Sequence, residues 1–305
     1  MEHTRYRGRF APSPTGPLHF GSLVTAVATW LEARVANGEW LVRIEDLDPL
    51  REPPEATDQI LHSLDRHGLH SDEPIRFQSR RHSAYETAIA ALLNNGKAYR
   101  CSCSRKQLQA HDGRHPGQCR TRNAVAEDTA HAIRFALTDE DCQWQDLLLG
   151  PQRQIVRAEL DDPVLQRKEG FYAYQLAVAV DDIDQGISHV VRGSDLLDMT
   201  AQQQQIFQAL GANAPKWLHI PVILNNQGQK LSKQNHAPAL DDSKPTTNLV
   251  HALTALGQHP PEHLFNTTVH DVLAWGRAHW QRTAIPLTSQ QAHGITPSTQ
   301  SHLDH

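Results

Sequence analysis

One turn near the N-terminus constrains the chain more than any other feature. Between Phe10 and Phe20 it reads Ala11-Pro12-Ser13-Pro14-Thr15-Gly16-Pro17-Leu18-His19. Three prolines and a glycine in that space exclude both a helix and a hydrogen-bonded ladder through Pro17. Upstream, Tyr6 to Phe10 alternates aromatic and polar residues, which predicts a short strand. Downstream, Leu23, Val24, Val27, Ala28 and Leu31 recur at helical spacing, which predicts a helix beginning near Gly21. A strand, a rigid turn and a helix N-terminus place backbone N–H groups where an anion can sit. His19, just ahead of that helix, can donate to phosphate oxygens. Gly21 lets a flat ring or a phosphate approach the backbone.

Alternation of strand and helix continues beyond this unit. Glu39–Ile44 reads as a buried strand ending in Glu45-Asp46-Leu47-Asp48, and helical patterns follow at Ala56–His67 and Tyr85–Leu93. That order predicts a doubly wound α/β layer. Carboxylates at the carboxyl end of a strand in such a sheet sit where ligands bind, although a solvated acidic turn has the same composition. Further on, apolar spacing predicts a helix over Tyr174–Val180, ended by Asp181-Asp182. A strand over Ile187–Val191 leads into Arg192-Gly193-Ser194-Asp195, a helix over Met199–Leu210 stops at Gly211, and Trp217–Leu224 is apolar enough for a strand. After a turn comes Lys230-Leu231-Ser232-Lys233-Gln234, in which two lysines flank a small hydroxyl residue and can clamp a polyphosphate. Asn248–Leu256 and Val269–Trp280 are helical in pattern. From about Thr288 the chain is too polar to pack, so a loose tail is expected.

Four cysteines are present, and three of them cluster as Cys101, Cys103 and Cys119. Thiolates in two groups separated by a loop predict one structural zinc rather than disulfides. His115 is the expected fourth ligand in preference to His111, because Pro116-Gly117 can fold it toward Cys119. Cys142 stands apart and is expected in the core. Composition adds limits: 39% hydrophobic residues suit a globular fold, no apolar run approaches the ~20 residues of a membrane span, and Met1–Arg5 has no secretory pattern. A cytoplasmic protein is expected. The net charge of -5 argues against nonspecific coating of nucleic acid but leaves room for a local basic groove.

Taken together, Arg9–Leu23 is similar to the first ("HIGH") signature of class I aminoacyl-tRNA synthetases, in the form found in glutamate enzymes. Lys230–Gln234 resembles the second ("KMSKS"), with Leu231 and Gln234 replacing its methionine and final serine. From about Arg5 to His236 the chain resembles the catalytic part of glutamyl-tRNA synthetases. It is closest to a shortened branch of that family, through Ser22 after the signature glycine, the Cys101/Cys103/His115/Cys119 set, and an end soon after the second signature that leaves no room for anticodon-reading domains.

The resemblance implies a class I Rossmann-type parallel sheet with a zinc-bearing insertion and a small C-terminal helical subdomain. The expected boundaries are 1–97 and 171–236 for the two catalytic halves, 98–170 for the insertion, 237–287 for the subdomain and 288–305 for the tail. Arg9, Ala11 and Ser13 would line the amino-acid pocket, Glu45 would hold the α-ammonium, and Tyr174 and Arg192, with Arg9, would take the side-chain carboxylate. ATP, carrying Mg²⁺, would be held by His19, Gly21, Lys230, Ser232 and Lys233, with His19, Lys233 and Lys230 as the catalytic set. The implied partners are L-glutamate, ATP and a queuosine-bearing tRNA(Asp), acted on by a monomer without membrane contact. The implied reaction is tRNA-independent activation of glutamate and its transfer to the cyclopentene-diol of queuosine. A truncated glutamyl-tRNA synthetase charging a tRNA 3′ end, or an inactive zinc-stabilised RNA-binding relative, would share most of these features.

Overall fold

The computed structural model describes residues 5–110, 119–120, 129–158, 162–225, 227–231 and 237–291. Its first unit follows the expected order: strand β1 (Arg7–Phe10), the proline turn, helix α1 (Phe20–Val35) and strand β2 (Glu39–Ile44). β2 pairs in parallel with β1 and with the short β3 (Arg76–Phe77); α1 and α2 (Ala56–Arg66) supply the two crossovers, and α3 (His82–Asn94) follows β3. Along β2, Trp40, Val42 and Ile44 enter one apolar cluster and Leu41 enters the other. A strand with both faces buried this way is what helices on both sides of a parallel sheet demand.

An antiparallel sheet follows, built from β4 (Ala98–Cys101), β5 (Ala132–Phe135) and β8 (Val164–Gln166), with α4 (Arg105–Gln109) after β4. The hairpin of β6 (Glu140–Asp146) and β7 (Gly150–Val156) does not join it. β6 instead pairs in parallel with β10 (Lys216–Ile220), which pairs in parallel with β9 (His189–Gly193). β6 and β7 therefore share a four-stranded sheet with β9 and β10. The alternation Gln143, Gln145 outward and Cys142, Asp146 inward carries a strand signal but not the identity of its partner.

Helices α5 (Tyr174–Asp184) and α6 (Thr200–Ala209) cover one face of this second half. α5 runs past its expected end, because Asp181 and Asp182 lie buried inside it rather than stopping it. The two half-sheets abut where the Ser188 N–H donates to the Arg7 carbonyl at 3.0 Å and the Arg7 N–H donates to Ser188 Oγ at 2.8 Å. β1 and β9 thus flank the point where strand order reverses, and in open α/β sheets ligands bind in the crevice beyond the strand ends there.

Helices α7 (Pro245–Ala255) and α8 (Val269–His279) pack on α1 and share its apolar cluster. Glu32 of α1 is buried and clamps the following chain, accepting from Trp280 Nε1 at 2.7 Å and from Arg282 Nη2 at 2.6 Å. The tail expected from Thr288 stays paired as far as β12 (Gln290–Gln291), which lies parallel to β11 (Ile223–Leu224). Residues 292–305 lie outside the described residues. Among the described residues no helix is long and apolar enough to cross a membrane.

Candidate active site

A cavity of about 750 Å³ opens at the carboxyl ends of β1, β2 and β9. Arg9 reaches it from the end of β1, Glu45 from just after β2, Arg192 from the end of β9 and Tyr174 from the first position of α5. Ala11 and Ser13 line it from the proline turn, and His19 and Gly21 from the start of α1. Lys230 also lines it and is ion-paired to Asp195. The described residues among those expected from the two signatures therefore share one crevice. Ser232 and Lys233 lie outside the described residues.

His19 is the N-cap of α1, and its Nδ1 accepts the Ser22 N–H at 3.2 Å. A Cβ on Gly21 would stand 3.3 Å from the His19 ring, tighter than side chains normally tolerate. The glycine thus lets the imidazole lie against the helix entrance, with the first-turn N–H groups beside it.

Around Arg9 the charges are balanced internally. Arg9, Arg43, Glu45 and Asp182 are all buried. Arg9 Nε donates to both Asp182 oxygens at 3.2 and 3.3 Å, and Arg43 Nη1 donates to Asp182 Oδ1 at 2.6 Å. Arg43 also meets Glu45 Oε1 at 3.3 Å. Two guanidiniums and two carboxylates form a neutral quartet. Burial opposes the charge on Asp182, but Arg9 and Arg43 outweigh it and hold its carboxyl below the usual range. Burial pushes Glu45 upward, and Arg43 and Arg9 offset only part of that. Arg43 and Asp182 carried no functional signal in the sequence. A strand arginine and a helix-end aspartate look like surface residues until the fold brings them together.

Arg192 differs from Arg9 in its company. Its Nε donates to His219 Nε2 at 2.9 Å and its Nη1 to Gln203 Oε1 at 2.6 Å. Its Nη2 donates to the Leu196 carbonyl at 3.1 Å and to Thr200 Oγ1 at 2.9 Å, while Trp217 lies 4.4 Å beneath its plane. All four acceptors are uncharged. Burial pulls the Arg192 pKa below its ordinary value, with Tyr174 acting in the opposite direction. A buried cation among neutral acceptors is set to receive an anion from the cavity.

Cys101 is buried and Cys103 and Cys119 are half-buried, with their sulfurs within 4.8 Å of one another. Cys103 and Cys119 stand 3.5 Å apart. Burial and the neighbouring sulfurs push the Cys103 thiol up to about 12. Three sulfurs at this spacing fit one tetrahedral ion with metal–sulfur bonds of roughly 2.3 Å. His115 and His111 lie outside the described residues. Purified protein is expected to carry about one zinc per chain, and Cys101→Ser or Cys119→Ser to lose it and loosen the β4–β5–β8 sheet, since metal binding at such a site is folding energy. Elemental analysis and melting curves check this, and full metal retention in both variants would sink the assignment. His115→Ala against His111→Ala identifies the fourth ligand.

Residues 5–263 match the family model described as tRNA synthetases class I (E and Q), catalytic domain. Over 281 residues the chain is 47% identical to the glutamyl-Q tRNA(Asp) synthetase of Pseudomonas aeruginosa (strain LESB58), covering 92% of this chain and 95% of that protein. The protein of the same name from Vibrio parahaemolyticus serotype O3:K6 (strain RIMD 2210633) is 44% identical over 282 residues, with the same 92% and 95% shares. Among solved structures, the crystal structure of glutamate-tRNA synthetase from Elizabethkingia anophelis superposes with a TM-score of 0.78 at 24% identity, covering 94% of this chain and 68% of that one. At that identity the likeness is one of fold.

Proposed function

The chain belongs to the class I tRNA synthetases of the glutamate and glutamine group and, within it, to the glutamyl-Q tRNA(Asp) synthetases, and from that premise we propose that it activates L-glutamate with ATP and esterifies the queuosine of tRNA(Asp). The observation that carries the substrate is the placement of Arg9 and Arg192 in one cavity together with His19 and Lys230. A dicarboxylate amino acid fits between them. Its side-chain carboxylate would meet Arg192, Arg9 and Tyr174, and its α-ammonium would meet Glu45, with Ala11 and Ser13 as walls. The substrate nucleotide is ATP with its Mg²⁺, its phosphates lying along His19 and the α1 entrance at Gly21 and reaching Lys230, Ser232 and Lys233.

The α-carboxylate oxygen attacks the α-phosphorus, the bond to the bridging oxygen of the β-phosphate breaks, and pyrophosphate leaves with that electron pair. Positioning and charge stabilisation supply most of the rate, with Lys233 and Lys230 opposing charge that grows on the leaving group. A hydroxyl of the queuosine cyclopentene-diol then attacks the acyl carbon, and AMP departs. The Cys101, Cys103 and Cys119 set, with His115, would hold a structural zinc, about 1 per chain; none of the three cysteines lines the cavity. We assign the enzyme to the cytoplasm, as a monomer.

Labelled glutamate is expected to enter tRNA(Asp) only when queuosine is present, and adenylate formation, read as pyrophosphate exchange, is expected without any tRNA. Labelling that persists without queuosine and is blocked by periodate oxidation of the 3′ ribose would mean ordinary 3′-end charging. An absence of glutamate-dependent exchange would mean an inactive RNA-binding relative.

A pH profile tests the Glu45 assignment. Glutamate capture needs this carboxylate ionised, and burial raises its pKa. As pH falls, kcat/KM for glutamate should therefore drop on a limb lying above the ~4.3 of a free glutamate side chain. A limb at the free value would remove Glu45 from the role.

A further inference from the structure

Arg192 carries five N–H donors, as any guanidinium does. Four are engaged by His219, Gln203, the Leu196 carbonyl and Thr200, and Tyr174, which lines the cavity, is a further hydrogen-bond partner of the guanidinium. The first of these contacts needs explaining. An imidazole accepts at Nε2 only when its proton sits on Nδ1. His219 Nδ1 lies 2.6 Å from Asp146 Oδ2, and both side chains are fully shielded from solvent. The Asp146 carboxylate cannot turn away, because its Oδ1 accepts the Leu148 and Leu149 N–H groups at 3.0 and 2.9 Å. Asp146 ends β6, and the strand register places it opposite Trp217 of β10, two positions before His219.

We propose that Asp146 and His219 are positioning residues for substrate selection: they hold the imidazole as its Nδ1–H tautomer, so that Nε2 sets the plane of Arg192, which with Tyr174 meets the substrate's side-chain carboxylate. Neither residue lines the cavity. The proposal rests on the reading that Arg192 binds that carboxylate.

The groups packed on the imidazole agree with a neutral ring. Asp146 faces it from β6, Arg192 from β9, and Thr200 Oγ1 from α6 at 3.3 Å. Trp217 stacks near it at 6.2 Å, and the charge of Asp195 acts from the loop after β9. Burial lowers the His219 pKa, Arg192 lowers it further, and Asp146 offsets part of that. A second proton would turn Nε2 into a donor facing the Arg192 donor. The β6–β7 turn thereby acquires a part in amino-acid selection without touching the amino acid.

The test is glutamate-dependent pyrophosphate exchange by the full chain, comparing His219→Leu, His219→Gln and Arg192→Ala. Leucine fills the space without an acceptor, whereas the glutamine oxygen can stand where Nε2 stood. His219→Leu is expected to raise the glutamate KM ~10-fold or more with the ATP KM unchanged, and His219→Gln to recover most of that loss. Equal glutamate KM values in wild type and His219→Leu, or equal losses in both His219 variants, would overturn the proposal. If His219→Leu does not fold, His219→Gln decides alone: a KM near wild type supports the acceptor role, and one as high as that of Arg192→Ala overturns it. If Arg192→Ala itself leaves the glutamate KM unchanged, the reading of the pocket fails before the positioning pair is at issue.

Discussion

Asp182→Ala is expected to cost ~3–5 kcal/mol of folding stability, a large share of the ~5–15 kcal/mol that typically holds a domain together. Arg9 and Arg43 both point their charge at this carboxylate from inside the protein. Removing it leaves two buried guanidiniums against Glu45 alone, and an unpaired buried charge is the costliest outcome of breaking such a pair. Urea unfolding checks the size of the effect, and a loss under ~1 kcal/mol would show that water or rearrangement satisfies the guanidiniums. The sign with pH is also determined. The folded pKa of Asp182 is depressed, so its contribution is complete above the ordinary aspartate value of ~3.9 and is lost as pH falls through the lower folded value. The gap between wild type and variant should close in acid.

Arg192→Ala is expected to do the opposite: keep the fold and lose the substrate. Its partners in the free protein are neutral, so truncation strands no charge and exposes only polar groups able to take water. Its removal instead strands the substrate's carboxylate in a desolvated site, worth ~2–5 kcal/mol, or roughly 30- to 4,000-fold in kcat/KM for glutamate. The ATP KM should stay near wild type. Glutamine, which carries no charge at that end, should lose far less than glutamate, so selectivity between the two is the sharpest readout. A variant that still prefers glutamate as strongly as wild type would exclude Arg192 from recognition.

Legibility in the sequence followed the local physics. The proline turn, His19, Gly21 and the strand ends at Glu45 and Arg192 were readable because turn chemistry and strand ends are local properties, whereas Arg9 entered only through the resemblance to glutamate enzymes. Asp181 and Asp182 misled: the apolar period of α5 stops at Val180, and nothing in a hydropathy pattern separates a carboxylate paired with buried arginines from one in water. Asp146 and His219 were invisible for a related reason, since each sits alone in a short strand and gains meaning only from the β6–β10 register. That register also puts the β6–β7 hairpin in one sheet with β9 and β10, a pairing that strand alternation alone does not reveal. The cysteines were legible because thiolate spacing is itself the signal.

The last turn of α5 reaches unusually far. Asp181 accepts from Gln78, Arg81 and Tyr85 at 2.8, 3.0 and 2.7 Å, while the Gln185 carbonyl accepts from Arg7 Nε at 2.7 Å. Acids at a helix C-terminus oppose the helix dipole, so this turn gains nothing from its own sequence until those donors arrive from the first half of the chain. Nucleation of α5 and docking of the two half-sheets are thereby one event. The ribosome releases the donors well before the acceptors, so the first half must wait, incompletely closed, for residues made a hundred positions later. The two halves, similar as they are in plan, are therefore expected to lose this packing when they are separated.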